Sequence, residues 1–103
     1  MPETPVGAGL WARCAHDGAR AMGRKTGALA PGLRADLVVL DTSDPALTEK
    51  GADDVLDAAI FGPARHPVRD VMSGGAWIVL DGRHAREDEI FARYRATLRM
   101  LAA

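Results

Sequence analysis

Apolar positions recur along this chain in three rhythms. Between residues 4 and 23 they come at helical spacing, with Val6, Leu10, Trp11, Cys14 and then Ala21 or Met22 falling on one side. Thr4 followed by Pro5 supplies an N-cap and a first helical position. Gly23 supplies a C-cap, with Arg24 and Lys25 at the negative end of the helix dipole. Gly7, Gly9 and Gly18 weaken this helix by about 1 kcal/mol each relative to alanine. The same rhythm returns over residues 87–101, where Ile90, Phe91, Tyr94, Leu98 and Leu101 form one stripe behind an acidic first turn of Glu87, Asp88 and Glu89.

The middle of the chain, residues 26–84, reads as strands around one short helix. "TGALAPGLRADLVVLD" opens with Pro31-Gly32, the order a type II turn prefers. It continues into "LVVL", a wholly apolar, β-branched run of the kind covered on both faces. "DTSDPALTEKGADD" reads as a polar loop with Asp44-Pro45 starting a turn. "ADDVLDAAIFG" fits a short helix with an acidic start and Gly62-Pro63 as its stop. "VRDVM" and "AWIVL" flank "SGG", so a hairpin is expected with Gly74-Gly75 at a turn that needs positive φ. Asp81-Gly82 makes a second turn. The pattern therefore predicts an α+β fold of one domain, residues 1–103: a small sandwich-like sheet between an N-terminal helix 4–23 and a C-terminal helix 87–101.

Composition narrows the function classes. With 103 residues, 48% apolar and 26% charged, the chain is ordinarily globular. A net charge of −1 gives no basic field for nucleic acid or anionic lipid. The N-terminus lacks the charged and apolar regions of a signal peptide, and no apolar run reaches membrane-spanning length, so a cytoplasmic protein is expected. The single cysteine, Cys14, excludes an intramolecular disulfide and a multi-cysteine zinc site. In its alanine-rich helix it is expected to be a small packed thiol.

Candidate chemistry is sparse. His16, His66 and His84 stand in separate segments, and none makes the His-x-His, His-Glu-x-x-His or His-x-x-x-His spacing that sets two imidazoles on one ion. They read as solvated or capping side chains. Ser43 and Ser73 both lie in turns, outside any nucleophile elbow. There is no phosphate-binding glycine loop. Asp36, Asp41, Asp44, Asp53, Asp54 and Asp57 cluster at turns and helix starts, where capping and Asx turns account for them. Arg86, Arg93, Arg95 and Arg99 are interleaved with acids and read as a solvated face. The residues thus supply no catalytic, cofactor-binding or metal-ligating set.

The segments "GLWARCAHDGARAMG", "TGALAPGLRADLVVLD" and "VRDVMSGGAWIVLDGRH" together resemble the C-terminal end of the metal-dependent amidohydrolase superfamily. There an alanine-rich helix leads into "G.L.PG..ADLVVLD", and a "V..V.V.G..VV.DG" hairpin closes a β-sandwich beside the catalytic barrel. The likeness spans roughly residues 9 to 101 and is greatest to the formimidoylglutamate deiminases, zinc enzymes of histidine breakdown. The resemblance implies that the metal ligands lie on barrel strands upstream of the matching region. No residue here corresponds to them, so no zinc is expected in this chain. His16 stands where the likeness has Gly or Ala, and His84 belongs to the tail.

On this reading Thr26 to Asp41 is a structural entry into a sandwich strand. Gly27 and Gly32 shape the turns, Pro31 fixes φ, Leu37 to Leu40 fill the core, and Asp36 accepts backbone N–H bonds beside the turn. The expected function is that of a non-catalytic amidohydrolase segment, truncated or split from its barrel and inactive alone. The alternative is a free-standing oligomeric module that reuses the strands. Either the missing barrel part or a second copy of the chain is expected to cover "LVVL" and "WIVL", unless the two terminal helices fold back over the sheet.

Overall fold

The computed structural model describes residues 5–103, and the side chain of Asp53 lies outside the description. Helix α1 spans Val6–Met22, with Pro5 at its N-cap and not at its first helical position. Thr4, expected as the cap, lies outside the described residues. The Pro5 carbonyl accepts the first helical bond from the Gly9 N–H at 3.0 Å. Gly23, at φ 67°, ends the helix as expected, and the exit amides return to the Ala19 and Arg20 carbonyls.

The Ala30–Leu33 turn follows, closed by the Leu33 N–H on the Ala30 carbonyl at 3.2 Å. Strand β1 is Leu37–Leu40, helix α2 is Ala52–Phe61, and strands β2 (Val68–Ser73), β3 (Ala76–Leu80) and β4 (Arg83–His84) come before helix α3 (Glu87–Ala102). The four strands form one antiparallel sheet in chain order. Leu37 pairs with Met72 and Val39 with Asp70, while Val71 pairs with Val79 across the expected hairpin. The two-residue strand β4 pairs with β3 through His84 opposite Val79, and the sequence pattern did not announce it.

Several expectations about burial are overturned. The loop read as purely polar carries Leu47, which is 0% exposed and is the largest fully buried side chain among the described residues. Asp44 creates its niche: it accepts the Ala46 N–H through Oδ1, and its carbonyl accepts the Leu47 and Thr48 amides, winding a compact turn around Leu47. The apolar strands are not covered on both faces within this chain. Val38 is exposed at the sheet edge, and in β3 Trp77 remains 47% exposed and Leu80 54%. Cys14 is exposed rather than packed. The buried positions of α1 are small ones: Gly7 sits against Asp57 of α2 and Ala19 against the Gly27 loop, leaving Val6 and Leu10 outward.

Helix α3 does not fold back over the sheet. None of its residues is buried, and the molecule is drawn out to 62 × 35 × 23 Å with a radius of gyration of 17.1 Å. A compact chain of this length has a radius of gyration of about 13 Å. The accessible surface, 8122 Å², exceeds the roughly 5,600 Å² of a compact monomer of this mass by about 2,500 Å².

Candidate functional site

Two constellations stand out, one polar and one apolar. The polar one fastens the sheet's turns. Asp36 accepts the Thr26 hydroxyl at 2.8 Å, the Arg34 Nε–H at 2.8 Å and the Gly74 N–H at 2.8 Å. Arg34 continues to the Ser73 hydroxyl at 3.1 Å, and the Gly75 N–H donates to the Ala35 carbonyl at 3.0 Å. Asp36 does accept a backbone amide, but from Gly74 in the distant β2–β3 turn and not beside the Pro31–Gly32 turn where it was expected, so it clasps that turn from outside the hairpin. Asp70 repeats the device one turn later. Buried on β2, it accepts the Asp81 N–H at 2.9 Å and the neighbouring Arg69 Nε–H at 2.9 Å. Asp41 makes the expected Asx turn with Ser43, accepting its N–H at 3.0 Å. Asp57 departs from the turn reading, since its carboxylate accepts the Gly7 N–H and joins α2 to α1.

Each of these acceptor sets lowers a carboxyl pKa. For Asp36 the largest cause is the Gly74 N–H, then the Thr26 hydroxyl and the Arg34 guanidinium. For Asp70 it is the Asp81 N–H, then Arg69. A carboxylate held below its unfolded value contributes stability above that value, about pH 3.9, and loses it as pH falls through the folded pKa. Asp36→Asn should therefore melt below the wild type at pH 7, with the gap narrowing as pH falls below about 3.9 and on through the lower folded pKa of Asp36. Thermal melts followed by circular dichroism at pH 7, 5 and 3 check this. Asp41 and Asp70 titrate in both proteins and cancel from the comparison. A gap unchanged at the lowest pH would show that charge at Asp36 does not hold the turn.

The apolar constellation is a cleft of about 540 Å³ between α1, α2 and β1, lined by Trp11, Cys14, Met22, Leu37, Leu40 and Leu56 among others. The close seat of Gly7 against Asp57 fixes the α1–α2 angle, and Gly27 sets the following loop against Ala15 and Ala19. The larger side chains of α1 are thereby held over β1 without meeting it. Sequence periodicity pointed to an apolar face on α1 but not to a gap beneath it.

The histidines do not converge. His16 lies on the exposed side of α1 with its Nδ1 3.3 Å from Asp17. His66 is exposed ahead of Pro67. The His84 Nδ1 accepts the Arg86 N–H at 3.0 Å, and the His84 N–H donates to Glu87 at 3.1 Å, so this histidine caps α3. Among the described residues no group of three or more His, Cys, Asp or Glu side chains is placed to hold a metal ion. The donor set therefore does not fit a catalytic zinc. No helix among the described residues is long and apolar enough to cross a membrane.

The sequence match of this chain is consistent with a C-terminal segment of an amidohydrolase. The particular likeness is to formimidoylglutamate deiminase of Pseudomonas aeruginosa, 45% identical over 83 residues that make up 81% of this chain and 18% of that enzyme. The chain thus spans less than a fifth of the relative it matches. No protein-family profile matches the chain.

Proposed function

We propose that this chain is the sheet-bearing, non-catalytic part of a formimidoylglutamate deiminase-type amidohydrolase, acting in cytoplasmic histidine degradation. The observation that carries the reading is the 45% identity over 83 residues, a match that takes in most of this chain. Hydrolysis of the amidine C–N bond, and the zinc that supports it, belong on this reading to a barrel-bearing polypeptide. The role of this chain is to cover that barrel's flank. The open cleft under α1 and the bare outer face of β3 support the reading, because each exposes apolar side chains at a cost of about 1.5–3 kcal/mol per large residue left in water. A second reading, a free-standing oligomeric module, is favoured by the uncovered apolar face of α3, none of whose residues is buried.

The test is a chimera in which this chain replaces the matched segment of the Pseudomonas enzyme. The expected outcome is a soluble, zinc-loaded protein that releases ammonia from formimidoylglutamate. The isolated chain is expected to bind no stoichiometric zinc and release no ammonia. An insoluble or metal-free chimera would overturn the reading. So would a zinc ion in the isolated chain that is lost on His84→Ala or His66→Ala.

A further inference from the structure

Helix α3 is restrained at one end. None of its residues is buried, so its direction relative to the sheet is set where it leaves strand β4. Three contacts lie there. Arg83 meets Glu87 at 2.8 Å, the His84 N–H donates to the Glu87 carboxylate at 3.1 Å, and the His84 Nδ1 accepts the Arg86 N–H at 3.0 Å. Arg86 is the N-cap residue, and its carbonyl accepts the first helical bond, from the Ile90 N–H at 2.9 Å. The imidazole therefore holds the residue on which the helix starts.

The third contact makes a demand on the ring that the others do not. A backbone N–H only donates, so Nδ1 is the unprotonated nitrogen and Nε2 carries the hydrogen. An imidazolium has a hydrogen on both nitrogens and offers no acceptor. Histidine is the side chain whose charge ordinarily changes between about pH 5 and 8. We propose that His84 is a pH-sensitive catch on α3. Neutral, it ties the start of the helix to β4; protonated, it releases the Arg86 amide and turns to the carboxylates of the first turn.

The surroundings supply that second seat. Glu87, Asp88 and Tyr94 of α3 line the same hollow as His84, together with Ile90 and Phe91. On the histidine's own strand, Arg83 reaches Glu87 and, at 3.3 Å, Asp88. Arg86 is engaged with Glu89 at 3.1 Å. Strand β3 sets Val79 opposite His84 and carries no titratable side chain. One guanidinium thus faces two carboxylates, and an imidazolium completes the balance. Arg83 and Glu87 keep the helix attached when the ring lets go, so the change is one of direction and not of unfolding. The catch lies away from the cleft under α1 and stands whether or not a barrel occupies that cleft.

Nitrogen-15 NMR of the full chain, titrated from about pH 8 to about pH 5, reads the ring directly. At the upper end the His84 Nδ1 should resonate as an unprotonated nitrogen and Nε2 as a protonated one. On acidification the Arg86 amide proton should move upfield with the same midpoint as the ring. In His84→Asn the side-chain oxygen can accept the amide two residues on without titrating, so the Arg86 signal should stay still. In His84→Ala it should sit at its acid position throughout. Direction is read by spin labels at Ala76→Cys and Met100→Cys, both exposed, in a Cys14→Ser background. Their distance distribution should broaden on acidification and hold constant when His84→Asn is added. A protonated Nδ1 at the upper pH overturns the proposal. So does an Arg86 amide that fails to follow the ring, or a label distance that ignores pH or responds equally in His84→Asn.

Discussion

Gly27→Val is expected to lower the melting temperature further than any other single substitution considered for this chain. Gly27 holds φ 95°, which a branched side chain adopts only under strain, and a Cβ there would stand 2.7 Å from the Ala15 carbonyl oxygen and 3.0 Å from the Ala19 Cβ. The obstacle is helix backbone, so neither neighbour can swing aside. Conformational strain and overpacking together should cost about 2–4 kcal/mol, or roughly 10–25 °C in a domain of this size. Ala19 is one of the few buried apolar side chains, so the damage falls on the α1 seat itself. Gly18→Ala, one turn along the contact, should act in the opposite direction. A Cβ there meets nothing within 4 Å, and helix propensity alone should add about 1 kcal/mol. Differential scanning calorimetry of the two variants separates these effects. Equal melting temperatures would mean that the loop does not press on α1.

The β2–β3 turn gives the second large effect. Gly74 and Gly75 hold φ 57° and 83°, the two consecutive positive values of a tight hairpin turn. Valine at either should cost on the order of 1–2 kcal/mol or more. The two sites differ in what surrounds them. A Cβ at Gly75 meets nothing within 4 Å, so its penalty is purely conformational, whereas one at Gly74 comes within 2.9 Å of the Arg34 guanidinium. Gly74→Val should therefore be the worse of the pair, because it also displaces Arg34 from Ser73. Urea unfolding read by tryptophan fluorescence checks the order. Melting indistinguishable from the parent at both sites would remove the turn from the account.

What could be read from the sequence follows from the range of each signal. Gly74-Gly75 between two apolar runs is a local statement, and the hairpin formed where it was expected. Gly23 likewise ended α1, whereas the amide that Asp36 accepts is that of Gly74 in the far hairpin, not one beside its own turn. The misses are of another kind. Amphipathic spacing in α3 says that one face wants cover, but it is silent about which surface provides it, and the structure leaves that face open. Cys14 followed the same logic: the helix period was right, but the buried positions of α1 are Gly7, against Asp57 of α2, and Ala19, against the Gly27 loop, both too small to weigh in a hydrophobic pattern. Leu47 was hidden because its neighbours are polar, and only the turn wound by Asp44 carries it inward. The cleft depends on two close approaches far apart in sequence, Gly7 to Asp57 and Gly27 to Ala15, which no pattern along one segment encodes.

The second hairpin turn has a bearing on how the chain ages. An aspartate followed by glycine is prone to cyclise, because the unhindered glycine amide nitrogen can attack the side-chain carboxyl carbon and form a succinimide. Here that nitrogen, on Gly82, is bound to the Arg69 carbonyl at 2.7 Å, while the Asp81 amide is held by the buried Asp70 carboxylate. Asp81 itself is fixed at φ 51°. The attacking atom is engaged, and the backbone rotation that would bring it to the carboxyl requires two hydrogen bonds to break first. The clasp that aligns β3 with β4 also protects the exposed Asp81-Gly82 bond from chemical rearrangement.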